Sequence, residues 1–146
     1  MQVKDVMTVD PVCVTPDTTL SQVATLMVES NCGAILVVDD LSTKRVVGIV
    51  TDRDIVCRSV ARGENTSPRL VASTMSSPVA TVFPDTSVDQ CCEVMQVHQY
   101  RRVAVVDAED RCLGIVAQAD LARHATLELV AETLRQISLD SPAGLG

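Results

Sequence analysis

The chain has 146 residues, and 47% of them are apolar, which is enough to fill the core of one domain of ordinary size. Phe83 and Tyr100 are the only aromatic residues, so the core must be built from aliphatic side chains, Met and Cys. The net charge of −7 repels nucleic-acid phosphate, and bases would find almost no aromatic ring to stack on. These properties argue against binding of DNA or RNA through a broad surface.

Targeting and metal signals are weak in this sequence. No stretch approaches the roughly 20 uninterrupted apolar residues of a membrane span, and residues 1–5 lack the basic and apolar regions of a signal peptide. We therefore predict a cytoplasmic protein that binds no membrane. The six cysteines form no Cys-x-x-Cys pair and only two histidines accompany them, so we expect no metal site and reduced cysteines that act as small core hydrophobes.

The sequence repeats itself with an offset of 68 positions. Met7 aligns with Met75, and the Pro-Asp-Thr of residues 16–18 aligns with that of residues 84–86. Between residues 3 and 39, 11 of 37 positions are identical, where ordinary residue usage would give about two by chance. The match then resumes two residues shorter, after a polar turn. We interpret this as a duplication and refer to its two halves as the first and second copies.

Each copy shows the same order of predicted elements. A short strand comes first, at residues 12–15 and 80–83, and the Pro-Asp-Thr that follows can cap a helix. The next apolar residues have the helical spacing i, i+3, i+4, i+7: Leu20, Val23, Ala24 and Met27 in the first copy, and Val88, Cys91, Cys92 and Met95 in the second.

Two apolar runs follow in each copy and predict buried strands, at residues 34–38 and 46–50 and at residues 103–106 and 112–116. A second helix is predicted to begin at Asp52 and at Gln118. The fold class is therefore α/β, more strictly α+β, with the order β-α-β-β-α present twice.

The C-terminal part has no counterpart in the repeat. After His124 the helical pattern continues through an apolar stripe of Leu127, Val130, Ala131, Leu134 and Ile137, which we expect to pack on the domain or on another subunit. Residues 138–146 are predicted to be frayed. The predicted division is residues 1–69 for the first copy with its linker, 70–126 for the second, and 127–146 for the C-terminal helix and tail, with both copies in one globular unit.

The segment from Gly48 to Asp54 places a strand end directly before a helix start. Free backbone N–H groups and the helix dipole favour an anion there. Thr51 adds a hydroxyl suited to a phosphate oxygen, and Asp54 has two acceptor oxygens that match the two hydroxyls of a ribose. The alternative is structural, with Thr51 capping the helix and Asp54 stabilising its first turn. Spacing alone favours this structural interpretation.

The pattern of glycine, two apolar residues, Thr or Ser, two residues and Asp resembles the nucleotide motif of cystathionine-β-synthase-type (CBS) domains. The duplicated plan resembles the repeat pair of that family over about residues 3–126, and the chain is similar to stand-alone bacterial CBS-pair proteins, including the hypoxic-response type. The resemblance implies two repeats paired about a pseudo-twofold axis with two clefts. It also implies an adenine nucleotide as ligand, namely AMP, ADP, ATP or an adenosyl relative, with Thr or Ser on phosphate and Asp on ribose.

The resemblance further implies that a cleft combines the motif of one copy with the first strand and the helix-to-strand corner of the other. The first cleft then contains nine residues: Ile49, Thr51, Arg53, Asp54, Val79, Ala80, Tyr100, Arg101 and Arg102. The two corner arginines suit phosphate, because a guanidinium binds it through several donors at once. The alternative is two solvated arginines. Without tryptophan, aliphatic side chains such as Ile49 and Val79 would enclose the adenine.

A second cleft is predicted to be weaker. Its six residues are Pro11, Val12, Gly33, Ala34, Ile115 and Asp120. Asp120 keeps the ribose position, but Ala117 replaces the threonine and Cys32-Gly33-Ala34 stands in place of Tyr-Arg-Arg. Hydrogen bonds with charged groups contribute roughly 1.5–3 kcal/mol each, so these losses predict weaker binding. The sequence leaves open whether this cleft holds an uncharged adenosyl compound or is empty.

The sequence offers no convincing catalytic group. Cys91 or Cys92 with His98 is one candidate, but both thiols lie on an apolar stripe, where they are usually inert. Asp54 with Arg101 is another, and it lacks a second acid-base partner. We therefore predict a non-catalytic regulatory module that senses an adenine nucleotide as ligand, forms a homodimer and needs no catalytic cofactor. The alternative is a ligand-independent dimeric scaffold. The physiological nucleotide and any effector protein are left open.

Overall fold

The computed structural model describes residues 1–139, so most of the segment predicted to be frayed lies outside the described residues. In chain order the elements are α1 (Val3–Val6), β1 (Thr8–Val9), β2 (Cys13–Val14), α2 (Leu20–Ser30), β3 (Ala34–Val38), β4 (Val46–Thr51), α3 (Asp52–Arg58), β5 (Thr81–Val82), α4 (Val88–His98), β6 (Arg102–Val106), β7 (Cys112–Ala117), α5 (Gln118–His124) and α6 (Leu127–Ile137). Two short 3₁₀ turns, Val60–Arg62 and Val71–Ser73, follow α3. The predicted fold class and its repeated β-α-β-β-α order are confirmed.

The chain forms two compact units. The first unit contains residues 11–79, and the second combines residues 1–10 with the described residues from 80 to 139. These units differ from the copies seen in the sequence, because the leading segment of each copy belongs to the unit built around the other copy. That both units together make one globular body stays a prediction.

The first unit is built on a three-stranded sheet in the order β2-β3-β4. β2 runs parallel to β3, and β3 runs antiparallel to β4, with Ala34 opposite Thr51. The core beneath the sheet consists of aliphatic residues and one methionine: Val14, Leu20, Val23, Met27, Ile35, Val37, Val50 and Val71. β3 contributes a near-continuous apolar run, as expected for a strand buried on both faces.

The second unit has a four-stranded sheet in the order β1-β7-β6-β5. β5 runs parallel to β6, β6 runs antiparallel to β7, and β1 is added antiparallel to β7 at the sheet edge. The sequence missed α1 and β1, because these short elements depend on tertiary partners. The N–H of Val3, for example, donates to the backbone oxygen of Thr86 at 2.8 Å.

The helix caps differ from the prediction. The Pro-Asp-Thr segments do not cap the helices: the N-cap residues are Thr19 and Ser87, and each side chain accepts a hydrogen bond from the N–H of the glutamine three residues later. The threonine of the second Pro-Asp-Thr segment, Thr86, instead accepts from the N–H of Phe83 at 3.0 Å. The first strands are also shorter than predicted, two residues each instead of four.

The C-terminal helix corrects the prediction in one respect and confirms it in another. Its helical pattern is not continuous with α5, because α5 ends at His124 and Thr126 caps a new helix. It also has an intrachain partner, since α6 lies against α4, where Gln96 Nε2 donates to Thr133 Oγ1 at 3.0 Å. The expectation that it packs on the domain is thus confirmed.

The buried face of α6 coincides only in part with the stripe that the spacing indicated. Ile137 is buried and Val130 packs against the core, as predicted, whereas Leu127 is 87% exposed, Leu134 is 37% exposed and Ala131 is exposed. Thr133, which lies outside the predicted stripe, is buried. None of the described helices is long and apolar enough to cross a membrane.

Candidate functional site

The strand-to-helix turn of the first unit joins β4 to α3 through Thr51. Thr51 Oγ1 accepts a hydrogen bond from the N–H of Asp54 at 3.0 Å, and Asp54 Oδ2 accepts one from the N–H of Thr51 at 3.0 Å. The structural interpretation of these residues, as a cap, is therefore confirmed. Both side chains can still bind a ligand while they cap the helix, because the Thr51 hydroxyl can donate its hydrogen and Asp54 Oδ1 can accept a hydrogen bond.

A side chain that the sequence analysis did not single out lies next to this carboxylate. Arg58 Nε is 3.9 Å from Asp54 Oδ1, and Arg58 Nη1 donates to the backbone oxygens of Thr74 and Met75 at 3.2 and 3.3 Å. The available signal was the acid-base pair at i, i+4 on a predicted helix. The contacts with residues 74 and 75 had no signal in the sequence.

The glycine of the motif has a packing reason. A Cβ on Gly48 would lie 2.7 Å from Met75 Sδ and 3.1 Å from the backbone oxygen of Ser76. Ser76 approaches this closely because it exchanges two backbone hydrogen bonds with Ile49, at 3.0 and 2.8 Å. The motif is thus held in place by Met75 and Ser76, which belong to the leading segment of the second copy.

The equivalent turn of the second unit keeps half of this arrangement. Asp120 Oδ2 accepts from the N–H of Ala117 at 2.8 Å, while Ala117 has no hydroxyl to accept from the N–H of Asp120. Arg123 Nη1 lies 3.5 Å from Asp120 Oδ1, and the Asp120 residue is only 6% exposed.

The helix-to-strand corner of the second unit carries the predicted phosphate-binding arginines. Tyr100 stacks on His98 with ring centroids 5.4 Å apart, Arg101 is exposed, and Arg102 is half-buried. The backbone oxygen of Arg101 accepts from the N–H of Gln118 at 3.3 Å, and Arg102 is paired with Ala117 in the sheet. This corner therefore lies beside the strand-to-helix turn of its own unit.

The same arrangement holds in the first unit, where the N–H of Asp52 donates to the backbone oxygen of Gly33 at 3.0 Å.

The residues predicted for the first cleft are divided between the units. The first unit holds Ile49, Thr51, Arg53, Asp54 and Val79, and the second unit holds Ala80, Tyr100, Arg101 and Arg102. The residues predicted for the second cleft are divided in the same way, with Pro11, Val12, Gly33 and Ala34 in the first unit and Ile115 and Asp120 in the second. The joining of these halves into clefts stays a prediction.

The cysteines considered as nucleophiles are buried in α4. Burial, with a contribution from the neighbouring Cys92, raises the pKa of Cys91 to about 12. Burial also raises the pKa of Cys92, against the opposing effect of a hydrogen bond with Thr133. Both groups therefore disfavour the reactive thiolate. Within residues 1–139, no group of three or more His, Cys, Asp or Glu side chains is arranged to hold a metal ion.

Comparison with known proteins defines the class. The CBS-domain family matches residues 3–60 and 71–127, which correspond to the two copies of the repeat. The chain belongs to the CBS-domain family, whose modules are generally regulatory and non-catalytic.

Two curated relatives resemble the chain over most of its length. It is 38% identical over 120 residues to the CBS domain-containing protein YhcV of Bacillus subtilis, covering 82% of each chain. It is 32% identical over 134 residues to Hypoxic response protein 1 of Mycobacterium tuberculosis, covering 92% of each. The predicted similarity to CBS-pair proteins of the hypoxic-response type is confirmed.

Solved structures of similar proteins include ligand complexes. The structure of CBSX2 in complex with AMP has a TM-score of 0.72 at 25% identity, covering 84% of this chain and 93% of that one. The CBS domain pair of MJ0100, in complex with 5′-methylthioadenosine and S-adenosyl-L-methionine, has a TM-score of 0.74 at 26% identity, covering 84% and 98%. The structure of Hypoxic Response Protein I with two coordinated zinc ions has a TM-score of 0.76 at 32% identity, covering 86% and 100%.

Proposed function

We propose that this protein is a non-catalytic regulatory module that binds an adenine nucleotide, AMP, ADP, ATP or an adenosyl relative, and thereby senses the energy state of the cell. The observation that carries the proposal is the reciprocal pair of hydrogen bonds between Thr51 and Asp54. It holds a hydroxyl and a carboxylate oxygen in fixed positions at one strand-to-helix turn, and these are the groups that suit phosphate and ribose. The AMP complex of CBSX2 supports the choice of ligand class.

The proposed binding cleft takes its motif from the first copy and its arginines from the corner of the second copy. Arg101 and Arg102 would add positive charge suited to a phosphate, although the protein as a whole is acidic. The second, weaker cleft would depend on Asp120 alone, without a neighbouring threonine hydroxyl. The cytoplasmic location stays a prediction from the sequence.

The experiment that tests this function is thermal denaturation in the presence of AMP, ADP, ATP and S-adenosylmethionine, with GTP as the control. A ligand that binds only the native state stabilises it by about 2.7 kcal/mol at 100 times its dissociation constant. We expect stabilisation by at least one adenine compound, with the nucleotide recovered unchanged after incubation. Stabilisation by none of them would leave the ligand-independent scaffold as the function, and time-dependent conversion abolished by Asp54→Ala would indicate an enzyme.

We further propose that the protein is a homodimer formed through α2. On α4 the positions of Cys92 and Gln96 lie beneath α6, whereas on α2 the equivalent positions, Ala24 and Val28, are exposed. Val28 is 81% exposed, and within residues 1–139 no helix covers this face as α6 covers its counterpart. The same helix face is covered by α6 in the second copy of the repeat, whereas in the first copy it is exposed and carries the apolar Val28. We therefore assign this face of α2 to contact with a second molecule of the protein.

A further inference from the structure

Arg58 contacts two parts of the first unit at once. It lies one helical turn after Asp54, with its Nε 3.9 Å from Asp54 Oδ1. Its Nη1 donates to the backbone oxygens of Thr74 and Met75, which are 16 and 17 residues away in sequence. One guanidinium therefore links the carboxylate of Asp54 to the backbone of residues 74 and 75, which follow the linker and pack against β4.

That segment is held against β4 on its other side. The side chain of Met75 lies over Gly48, Ser76 exchanges two backbone hydrogen bonds with Ile49, and Ser77 Oγ donates to the backbone oxygen of Val47 at 3.0 Å. The arginine is thus anchored to a segment that is itself fixed to the strand carrying the motif. A side chain with its own rigid anchor holds its neighbour in place better than one that extends into solvent.

We propose that Arg58 is a positioning residue for ribose recognition by Asp54, an inference that rests on the proposed function. Oδ2 of Asp54 is held by the N–H of Thr51 at 3.0 Å, and Arg58 Nε lies 3.9 Å from the other carboxylate oxygen, Oδ1. Together these contacts restrict rotation of the carboxylate, so that Oδ1 is presented in one orientation. A preorganised acceptor loses less conformational freedom when the ligand binds, and this raises affinity.

The second copy has no equivalent of Arg58 beside its aspartate. The position of Arg58 is occupied by His124, and Asp120 is paired instead with Arg123, three residues after it. The Arg123 side chain is 68% exposed, against 35% for Arg58. The difference assigns ribose discrimination to the first copy.

The test compares AMP and ATP with their 2′,3′-dideoxy analogues by isothermal titration calorimetry, in the wild type, Arg58→Met and Arg123→Met. The analogues lack the hydroxyls that Asp54 would bind, so the ratio of the two affinities reports ribose recognition alone. We expect the wild type to prefer the ribonucleotide by about tenfold or more, as for hydrogen bonds to a charged group. Arg58→Met should lower ribonucleotide affinity by about tenfold and leave the dideoxy affinity within about twofold, while Arg123→Met keeps the wild-type ratio.

Several outcomes would overturn the inference. An unchanged ratio in Arg58→Met, an equal loss for both sugar types, or an equal loss of the ratio in Arg123→Met would each exclude a specific positioning role of Arg58. Binding of neither ribonucleotide to the wild type would overturn the proposed function as well, so the two failures are distinguishable. If Arg58→Met is unfolded by circular dichroism at 25 °C, Arg58→Lys, which keeps the charge but lacks the guanidinium fork, is judged by the same ratio.

Discussion

Asp54 and Asp120 close the same helix turn in the two copies, each accepting a hydrogen bond from the backbone N–H three residues earlier, at 3.0 and 2.8 Å. Loss of either carboxylate should therefore cost a similar amount of stability, about 1 kcal/mol, which is typical for a cap. Ligand binding should differ. We expect Asp54→Ala to abolish most nucleotide affinity and Asp120→Ala to change it little, with calorimetry giving one dominant site per chain.

The two variants control for each other, because both remove one capping carboxylate. Arg102→Ala should weaken nucleotide binding as Asp54→Ala does, since the proposal places Arg102 on phosphate. Equal losses from Asp54→Ala and Asp120→Ala, or two equivalent sites in the titration, would contradict the asymmetry.

A second prediction concerns the missing hydroxyl at Ala117. In the first copy Thr51 Oγ1 accepts from the N–H of Asp54, and Ala117 cannot make the equivalent bond. Ala117→Thr should supply it and stabilise the protein by about 1 kcal/mol, raising Tm by a few degrees. The measurement is thermal denaturation followed by circular dichroism. Ala117→Val adds a similar volume without an acceptor, and equal stabilisation by valine would show that the cap is not the cause.

A third prediction ranks the two motif glycines. A Cβ on Gly114 would lie 2.8 Å from the backbone oxygen of Thr8 and 2.8 Å from Met7 Sδ. On Gly48 the shortest contact, 2.7 Å, is with the flexible end of Met75, and the backbone oxygen of Ser76 is 3.1 Å away. Both Gly→Ala variants overpack a strand and should cost about 1–3 kcal/mol, with Gly114→Ala the more destabilising because backbone yields less than a thioether.

Urea denaturation of both alanine variants measures this difference. A larger loss of stability in Gly48→Ala than in Gly114→Ala would indicate that the Met75 side chain cannot move aside. Gly63→Ala is a control for backbone strain. A Cβ on Gly63 would meet nothing within 4 Å, but its φ is +71°, so any loss of stability in this variant comes from backbone strain and not from crowding.

A fourth prediction tests the dimer through α2. Val28→Glu places a charge in the proposed contact and should give a monomer at tens of micromolar, as measured by light scattering with size-exclusion chromatography. Val97→Glu is the matched control, since Val97 is 76% exposed on α4 but is equivalent to Glu29 rather than to Val28. We expect it to remain dimeric. A dimer in both variants would exclude α2 as the interface, and a monomeric wild type would remove the proposal altogether.

The sequence predicted local elements well where a repeat and a strong apolar period coincide. The strands predicted at 34–38 and 46–50, the second of which ends one residue later in the structure, and the helices beginning at Asp52 and Gln118 follow from apolar runs and polar boundaries that each copy presents independently. The motif and its asymmetry were also readable, because they depend on which side chains stand at aligned positions, such as Thr51 and Ala117.

The errors arose where a residue's environment is set by a distant part of the chain. Ala24 and Cys92 occupy equivalent places on equivalent helices, yet Ala24 is exposed and Cys92 is buried, because α6 packs on α4 and, within residues 1–139, no helix covers α2 in the same way. The spacing of α6 likewise gave only part of the buried face: Ile137 is buried as predicted, but Thr133 is buried as well, hydrogen-bonded to Gln96.

The sequence by itself determined the duplication, the order of strands and helices in each copy, and the identity of the residues at the strand-to-helix turns. These are properties of local periodicity and side-chain chemistry. Only the tertiary structure decided that residues 1–10 complete the sheet of the second unit, that Met75 and Ser76 pack against Gly48, and that Arg58 contacts the backbone of Thr74 and Met75. Those arrangements depend on backbone groups that are far apart in the chain and meet only when each sheet is formed, and no local pattern encodes them.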